Sequence, residues 1–146
     1  MNYLLDTNVV SELIARHPNQ GVLDWVDAQD PNSVFLSVIT LGELQKGIAK
    51  LPDSLRKAQL QTWLTKDLLI RFQGQILALD VEASLTWGQL TGKLLQSGRP
   101  LAALDSQIAA IAGHHGCTIA TRNEQDFADT GVAVINPWKI GHVPGV

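Results

Sequence analysis

The opening stretch YLLDTNVVSEL constrains the fold more than any other part of this chain. Tyr3, Leu4 and Leu5 form an apolar run that stops at Asp6, and apolar residues then recur at helical spacing from Val9 onwards. This pattern predicts a buried strand, a polar turn and an amphipathic helix in immediate succession. In an open parallel sheet, catalytic groups collect just beyond the carboxyl ends of the strands, and Asp6 is expected at such a place.

Further short apolar runs alternate with helical patterns along the rest of the chain. They predict strands at residues 34–36, 76–79, 118–120 and 132–135. This alternation favours an α/β domain with a mainly parallel central sheet and helices on both faces. No repeat or linker divides the sequence, so we expect one domain over residues 1–138 and a C-terminal tail over residues 139–146.

The composition excludes several classes of protein. With 45% hydrophobic and 17% charged residues, the 146-residue chain is globular rather than disordered. No apolar run approaches the roughly 20 residues of a membrane span, and no signal peptide is expected. Cys117 is the single cysteine, which fits a reduced thiol and a cytoplasmic location. The formal net charge of −3 argues against a non-specific nucleic-acid coat protein, which is usually basic.

Four acidic residues occupy related positions in the predicted elements. Asp6 ends the first strand, Glu43 lies in the first turn of the helix after the second strand, Asp105 begins an alanine-rich helix, and Asp126 follows the TIATRN segment. A parallel sheet would bring these segments to one edge, where four carboxylates repel each other unless a cation offsets their charge. Oxygen ligands suit Mg²⁺ or Mn²⁺, and no histidine or cysteine has a spacing typical of zinc sites.

Each of these acids also has an ordinary structural explanation. Asp6 could cap the first helix, and Glu43 could complete a capping box that begins at Thr40. Asp105 in a first helical turn interacts favourably with the helix dipole, and Asp126 could be a solvated loop residue. Only their joint position at one edge of the sheet distinguishes a site from four unrelated acids.

The chain resembles the PIN-domain nucleases, specifically the VapC-type toxins of type II toxin–antitoxin systems and their FitB-like relatives. The matching stretches extend from Tyr3 to Trp138: LLDTNVVSEL, LSVITLGELQKGI, GRPLAALDSQIAAIA, TIATRNEQDF and VINPW. The resemblance implies a three-layer α/β/α sandwich in which the metal-binding acids are Asp6, Glu43, Asp105 and Asp126. It also assigns supporting roles to three further residues, which are Asn8, Thr121 and Asn123.

The same resemblance implies an activity and partners. The expected activity is Mg²⁺- or Mn²⁺-dependent cleavage of RNA phosphodiester bonds by a metal-activated water. The expected partners are a second copy of the chain and a VapB-like antitoxin that inhibits the enzyme, with operator DNA contacted only through the antitoxin. Separately from the resemblance, position near the acidic segments makes four cations candidate contacts to RNA, which are Lys46, Lys50, Arg99 and Arg122. For the two lysines, whose helical spacing from Glu43 suggests the contact, a solvated helix face is the more common explanation.

Three alternatives remain open at this stage. Receiver-type phosphoacceptor domains and haloacid-dehalogenase-type phosphatases also place an aspartate after a parallel strand. The phosphatase usually has a second aspartate two residues on, where this chain has Asn8, and both classes need a suitably placed lysine that does not stand out here. The third alternative is a binding role, in which the chain is a FitB-like component of a DNA-binding repressor complex with little nuclease activity of its own.

Overall fold

The computed structural model describes residues 1–140, so residues 141–146 of the predicted tail lie outside the described residues. Lys139 and Ile140 belong to the last helix rather than to a tail. The strands are β1 Tyr3–Leu5, β2 Val34–Ser37, β3 Ile76–Leu77, β4 Thr118–Ala120 and β5 Val134–Ile135. The helices are α1 Thr7–Glu12, α2 Gln20–Ala28, α3 Val38–Ala49, α4 Leu55–Thr62, α5 Leu69–Arg71, α6 Val81–Gln96, α7 Ala103–His114 and α8 Pro137–Ile140.

The five strands form one parallel sheet in the order β3-β2-β1-β4-β5. β1 lies at the centre, where Leu4 pairs with Phe35 of β2 on one side and with Ile119 of β4 on the other. The two edge strands are shorter than the sequence predicts, because β3 ends at Leu77 rather than at residue 79 and β5 begins at Val134 rather than at residue 132. β3 ends opposite Ser37, the last residue of β2, so residues 78 and 79 have no strand residue to pair with.

Alternation along β1 divides the core into two layers, because successive side chains of a strand point to opposite faces. Leu5 packs with buried residues of α1, α2, α3 and the segment from Leu64 to Phe72. Leu4 packs on the other face with α6 and α7, through residues such as Ala83 and Ile108. The predicted α/β/α sandwich is therefore confirmed. Within residues 1–140, no helix has the length and apolar character needed to cross a membrane.

Short polar side chains start most of the longer helices and thereby fix where the chain turns at the ends of the strands. Their side-chain oxygens accept a hydrogen bond from a backbone N–H of the first turn, which is the interaction that N-cap residues supply. These caps are Asp6 for α1, Asn19 for α2, Ser37 for α3, Ser54 for α4 and Asp80 for α6.

Candidate functional site

The carboxyl edge of the central strands carries the acidic residues. Asp6 follows β1 directly, and its backbone N–H still donates to the carbonyl of Ala120 at 2.9 Å, so it prolongs the ladder between β1 and β4. The residue is buried, with 6% of its surface exposed. As the N-cap of α1, it fulfils the structural role that the sequence allowed, and it stands at the point where the two central strands end.

Three donors surround the Asp6 carboxylate. The Thr7 N–H donates to Oδ1 at 2.8 Å, and the Thr121 hydroxyl donates to Oδ2 at 2.8 Å. The Asn8 side-chain amide lies 3.4 Å from Oδ2, which makes it a weak third donor. These contacts fix the direction of the carboxylate before any ligand arrives.

Thr121, directly after β4 and fully buried, uses its whole hydrogen-bonding capacity in this site. Besides donating to Asp6, its hydroxyl oxygen accepts from Asn8 Nδ2 at 3.2 Å and from the Asn123 N–H at 3.1 Å. A threonine hydroxyl has one proton and two lone pairs, so all three are satisfied. The side-chain Oδ1 of Asn8 accepts from the Arg122 backbone N–H at 3.2 Å and completes the link between the two loops.

Glu43 reaches the same edge from α3 but not in the way its local sequence predicts. α3 begins at Val38, and the hydroxyl of Ser37 accepts from the Thr40 N–H at 3.1 Å. Glu43 therefore lies in the second turn of α3 rather than the first, and the prediction of a capping box that begins at Thr40 is wrong. The Glu43 carboxylate instead accepts a hydrogen bond from the Thr7 hydroxyl at 2.7 Å, across the boundary between α1 and α3.

The other two acids are less enclosed. Asp105 lies half-buried in the first turn of α7, as predicted, and no side chain caps that helix. Asp126 is exposed on a 3₁₀ turn, Glu124–Phe127, which is anchored by the buried ring of Phe127. Within residues 1–140, neither carboxylate accepts a hydrogen bond from another side chain.

The pKa shifts show that the four charges oppose one another. Burial raises the pKa of Asp6 above its ordinary value, and the charges of Glu43 and Asp126 add to this rise, while the hydrogen bonds from Thr121 and Thr7 counteract it. Burial, followed by the charges of Asp6, Asp126 and Glu43, raises the pKa of Asp105 to about 6. Within residues 1–140, no ion pair offsets the charge of these four acids.

This donor set fits a hard divalent cation. The ligating atoms available are carboxylate oxygens, which Mg²⁺ and Mn²⁺ prefer, and a cation would relieve the mutual repulsion that adds to the effect of burial on both pKa values. The four acids do not form a closed cage, because no three of them within the described chain bring their ligand atoms within 4.8 Å of one another. An open arrangement suits Mg²⁺, which usually keeps several waters.

The basic residues predicted to contact RNA differ in their surroundings. Lys46 is exposed and lines a shallow groove between α3 and the start of α7, together with Glu43 and Leu104. Lys50 is exposed at the far end of α3. Arg99 pairs with Asp129 at 3.3 Å, and the guanidinium of Arg122 lies 5.3 Å from the centre of the Trp138 ring. Lys46 is thus the predicted cation that shares a surface with one of the acids.

The sequence did not single out several polar residues that support this edge. The Thr7 hydroxyl lies 3.1 Å from that of Thr40, which is fully buried beside Ser37. Asn136 is also buried, and its amide connects the Arg122 carbonyl with the Trp138 N–H. The sequence does show hydroxyl and amide side chains beside the predicted strand ends, which could have indicated these supporting residues. Their hydrogen-bond partners, however, depend on the tertiary structure.

Comparison with known proteins agrees with this architecture. A family model described as PIN domain matches residues 3–133. The plasmid stability protein StbB of Pseudomonas syringae pv. tomato is 43% identical over 93% of this chain and 98% of its own length. The VapC ribonuclease Y4jK of Sinorhizobium fredii is 38% identical over 93% and 97%. Toxin FitB of Neisseria gonorrhoeae is 39% identical over 92% and 97%.

A solved structure extends the similarity to three dimensions. The structure of FitAB bound to an IR36 DNA fragment contains a chain that superposes with a TM-score of 0.88 at 37% sequence identity. The match covers 96% of this chain and 98% of that chain. The sheet and both helical layers therefore have a close structural counterpart over nearly the whole sequence.

Proposed function

This chain belongs to the PIN-domain family, and on that premise we propose that it is a Mg²⁺- or Mn²⁺-dependent endoribonuclease, acting in the cytoplasm as the toxin of a toxin–antitoxin pair. The observation that carries the proposal is the convergence of four carboxylates at the carboxyl edge of the sheet, where the pKa of Asp6 and of Asp105 is raised by burial and by mutual repulsion. Similarity to a VapC ribonuclease over nearly the whole chain supports RNA as the substrate.

Asp6, Glu43, Asp105 and Asp126 would hold the cation. When bound, the metal ion would neutralise charge that develops on the scissile phosphate and lower the pKa of a bound water, which is the nucleophile that hydrolysis needs. No side chain of the chain itself is required as a nucleophile.

The chain's own residues orient the ligand set. The hydroxyl of Thr121 and the N–H of Thr7 keep the Asp6 carboxylate in one direction, and the Thr7 hydroxyl does the same for Glu43. Asn8 and Asn123 in turn hold Thr121, so that a loop after β4 is tied to the start of α1. Such supporting hydrogen bonds commonly affect metal affinity and activity by about ten- to a hundredfold.

An apolar groove beside the acids supports an inhibitory partner. The groove runs between α1, α3 and α4, and its lining includes Ile14, Leu44 and Trp63 before it reaches Thr7 and Glu43. An antitoxin segment with apolar side chains could occupy this groove and place its next residues over the acidic site. The proposal also includes a homodimer, as the resemblance implies.

A second role, within a DNA-bound repressor complex, is favoured by one comparison. The FitAB complex with a DNA fragment contains a chain with this fold. Because this chain has a formal net charge of −3, we propose that any operator contact is made by the antitoxin rather than by the nuclease surface. The two roles are compatible, since operator contact through a partner would not require the acidic edge.

The decisive experiment is RNA cleavage by the purified chain without its antitoxin. Total cellular RNA is incubated with Mg²⁺, with Mn²⁺ or with a chelator, and Asp6→Asn and Glu43→Gln are compared with the unaltered chain. We expect cleavage only with a divalent ion and a loss of at least about a hundredfold in each variant, because each loses a ligand charge.

Asp53→Asn is the matched control. Asp53 is a fully exposed acid between α3 and α4 whose contact is a surface ion pair with Lys57, so its loss should leave cleavage unchanged. If the folded chain cuts no RNA with either metal, the nuclease proposal fails and the repressor role gains weight. Binding of the toxin–antitoxin pair to operator DNA would then be measured next.

A further inference from the structure

A second group of metal-ligating side chains lies where α7 ends before β4, at the end of that helix remote from Asp105. Among residues 1–140, Asp80, His114 and His115 form the one group of three His, Cys, Asp or Glu residues whose ligand atoms all lie within 4.8 Å of one another. His114 ends α7, whereas Asp105 lies in the first turn of that helix. Nine residues of helix separate them by about 13 Å, so this group is distinct from the acidic site.

The structure assigns to Asp80, His114 and His115 a binding site for a divalent transition-metal ion of the Zn²⁺ class. Metal–ligand bonds of roughly 2.0–2.2 Å place neighbouring ligands about 3.3 Å apart in tetrahedral geometry. The three ligand atoms already lie within 4.8 Å of one another, and rotation about their own side-chain bonds would bring them to this spacing. Asp80 and His115 are exposed, so these rotations are not opposed by core packing.

The backbone on both sides of this group is fixed. At the end of α7, the Cys117 N–H donates to the Ala112 carbonyl at 2.9 Å and the Gly116 N–H donates to the Gly113 carbonyl at 3.3 Å. Gly116 has a φ of +67°, and this combination is a Schellman motif, which holds the two histidines in one backbone conformation. The site would therefore be largely preorganised on the α7 side.

Asp80 is fixed in a comparable way on the other helix. Its Oδ1 accepts a hydrogen bond from the Ala83 N–H at 2.8 Å and caps α6. One carboxylate oxygen is thus engaged in the cap, and the second remains as a potential ligand. α6 and α7 pack against each other, so the start of one helix and the end of the other meet at this point.

The charge of the group favours a cation. The carboxylate of Glu82 lies 3.2 Å from His114 Nε2, so two carboxylates accompany the two imidazoles. Carboxylates that hydrogen-bond to an imidazole commonly orient it for metal binding. Mixed nitrogen and oxygen ligands suit Zn²⁺, Ni²⁺ or Cu²⁺, whereas Mg²⁺ prefers oxygen alone. The two sites should therefore select different metals.

Zinc binding to the untagged chain tests this inference without any nuclease assay. The protein is dialysed against limiting Zn²⁺ in excess Mg²⁺, and the retained zinc is measured by elemental analysis. We expect a single zinc ion per chain, with affinity at least about tenfold weaker in His115→Gln and in Asp80→Asn. Asparagine preserves the helix cap, so Asp80→Asn removes the charge without removing that hydrogen bond.

Two matched controls distinguish this site from other zinc-binding groups. His17→Gln removes an exposed loop histidine, and Asp105→Asn removes an acid from the acidic site, so both should retain zinc at the affinity of the unaltered chain. The inference is overturned if His115→Gln binds zinc as tightly as the unaltered chain, or if Asp105→Asn loses it. Circular dichroism of each variant verifies folding, and either result leaves the ribonuclease proposal unaffected.

Discussion

The acidic site consists of two halves that are built differently. Asp6 and Glu43 each accept a hydrogen bond from a threonine hydroxyl, at 2.8 Å from Thr121 and at 2.7 Å from Thr7. Within residues 1–140, Asp105 and Asp126 accept none from any side chain. Asp6 and Glu43 therefore form a fixed half, whose carboxylates have a set direction. Asp105 and Asp126 form an adaptable half, whose carboxylates can reorient towards what binds.

The two halves also differ in what opposes their charge. Hydrogen bonds from Thr121 and Thr7 partly offset the effect of burial on the pKa of Asp6. Asp105 has no such bond, and burial together with three neighbouring charges raises its pKa to about 6. A bound cation would therefore offset the charge of Asp105 more than that of Asp6, because hydrogen bonds already stabilise the Asp6 carboxylate. The following predictions test this comparison.

Among the changes that test this comparison, Thr121→Val should have the largest effect, because it removes the hydroxyl that holds the Asp6 carboxylate. Valine has the shape of threonine but cannot donate to Asp6 or accept from Asn8 and Asn123. A buried polar group left without its partner costs about 1–3 kcal/mol, so the free energy of unfolding should fall by that amount. We also expect RNA cleavage to fall by about ten- to a hundredfold. Urea unfolding and a cleavage assay measure the two effects.

Thr121→Ser is the control for this substitution, since it keeps the hydroxyl and removes a methyl group. It should retain most of the cleavage activity, although loss of the methyl group costs some packing energy. Equal activity of the serine and valine variants would mean that the hydrogen bond to Asp6 does not orient the carboxylate for catalysis, and the distinction between the two halves would lose its functional meaning.

In the adaptable half, the contribution of Asp105 to the free energy of unfolding should depend on pH. Because the pKa of Asp105 is raised in the folded chain from 3.8 to about 6, the folded state binds more protons in this interval than the unfolded state does. In a chelator, this group's contribution to stability is therefore complete below pH 3.8 and is lost as the pH rises through about 6. After a discount for solvent screening, the loss amounts to about 1 kcal/mol.

Asp105→Asn isolates this contribution, because asparagine does not titrate. The difference in unfolding free energy between the two proteins, measured in urea at a series of pH values with chelator, should change across this interval and be constant above it. Added Mg²⁺ should stabilise the unaltered chain more than the variant at neutral pH. If the unfolding free energies of the two proteins change with pH in parallel, folding does not raise the pKa of Asp105 and the prediction is wrong.

The fold was predictable because it depends on patterns that are local in sequence. Short apolar runs separated by helical spacing define a parallel sheet, and Leu4 and Leu5 show how alternation assigns neighbours to opposite layers. The carboxyl ends of parallel strands share one edge, so the neighbourhood of Asp6 and Glu43 followed from topology alone. Such reasoning needs no knowledge of individual side-chain contacts.

Side-chain partners could not be predicted in the same way. The sequence predicted a capping box that begins at Thr40, whereas in the structure Ser37 caps α3 one turn earlier. The start at Ser37 leaves Thr40 buried beside Thr7, and Glu43 then bonds to Thr7 rather than to its own helix. Asp80 and His115 are similarly distant in sequence and meet only because α6 and α7 pack together.

The smallest predicted effect concerns the cations at the rim of the site. Lys46 shares a groove with Glu43 of the fixed half and makes no ion pair within residues 1–140. Arg99 precedes Asp105 of the adaptable half, but its guanidinium is already 3.3 Å from Asp129. We therefore expect Lys46→Ala to weaken RNA binding about threefold, as a single exposed charge contributes up to about 1 kcal/mol, and Arg99→Ala to change it little.

The dependence of binding on salt tests this contrast more sharply than affinity alone. Each phosphate contact to single-stranded RNA contributes about 0.7 to the slope of log K against log salt concentration. In the Asp6→Asn background, which prevents cleavage during the titration, Lys46→Ala should lower that slope by about this amount, whereas Arg99→Ala should not. The reverse result would place the RNA on the Asp105 side of the edge, and substrate binding would then be expected to order the adaptable carboxylates directly.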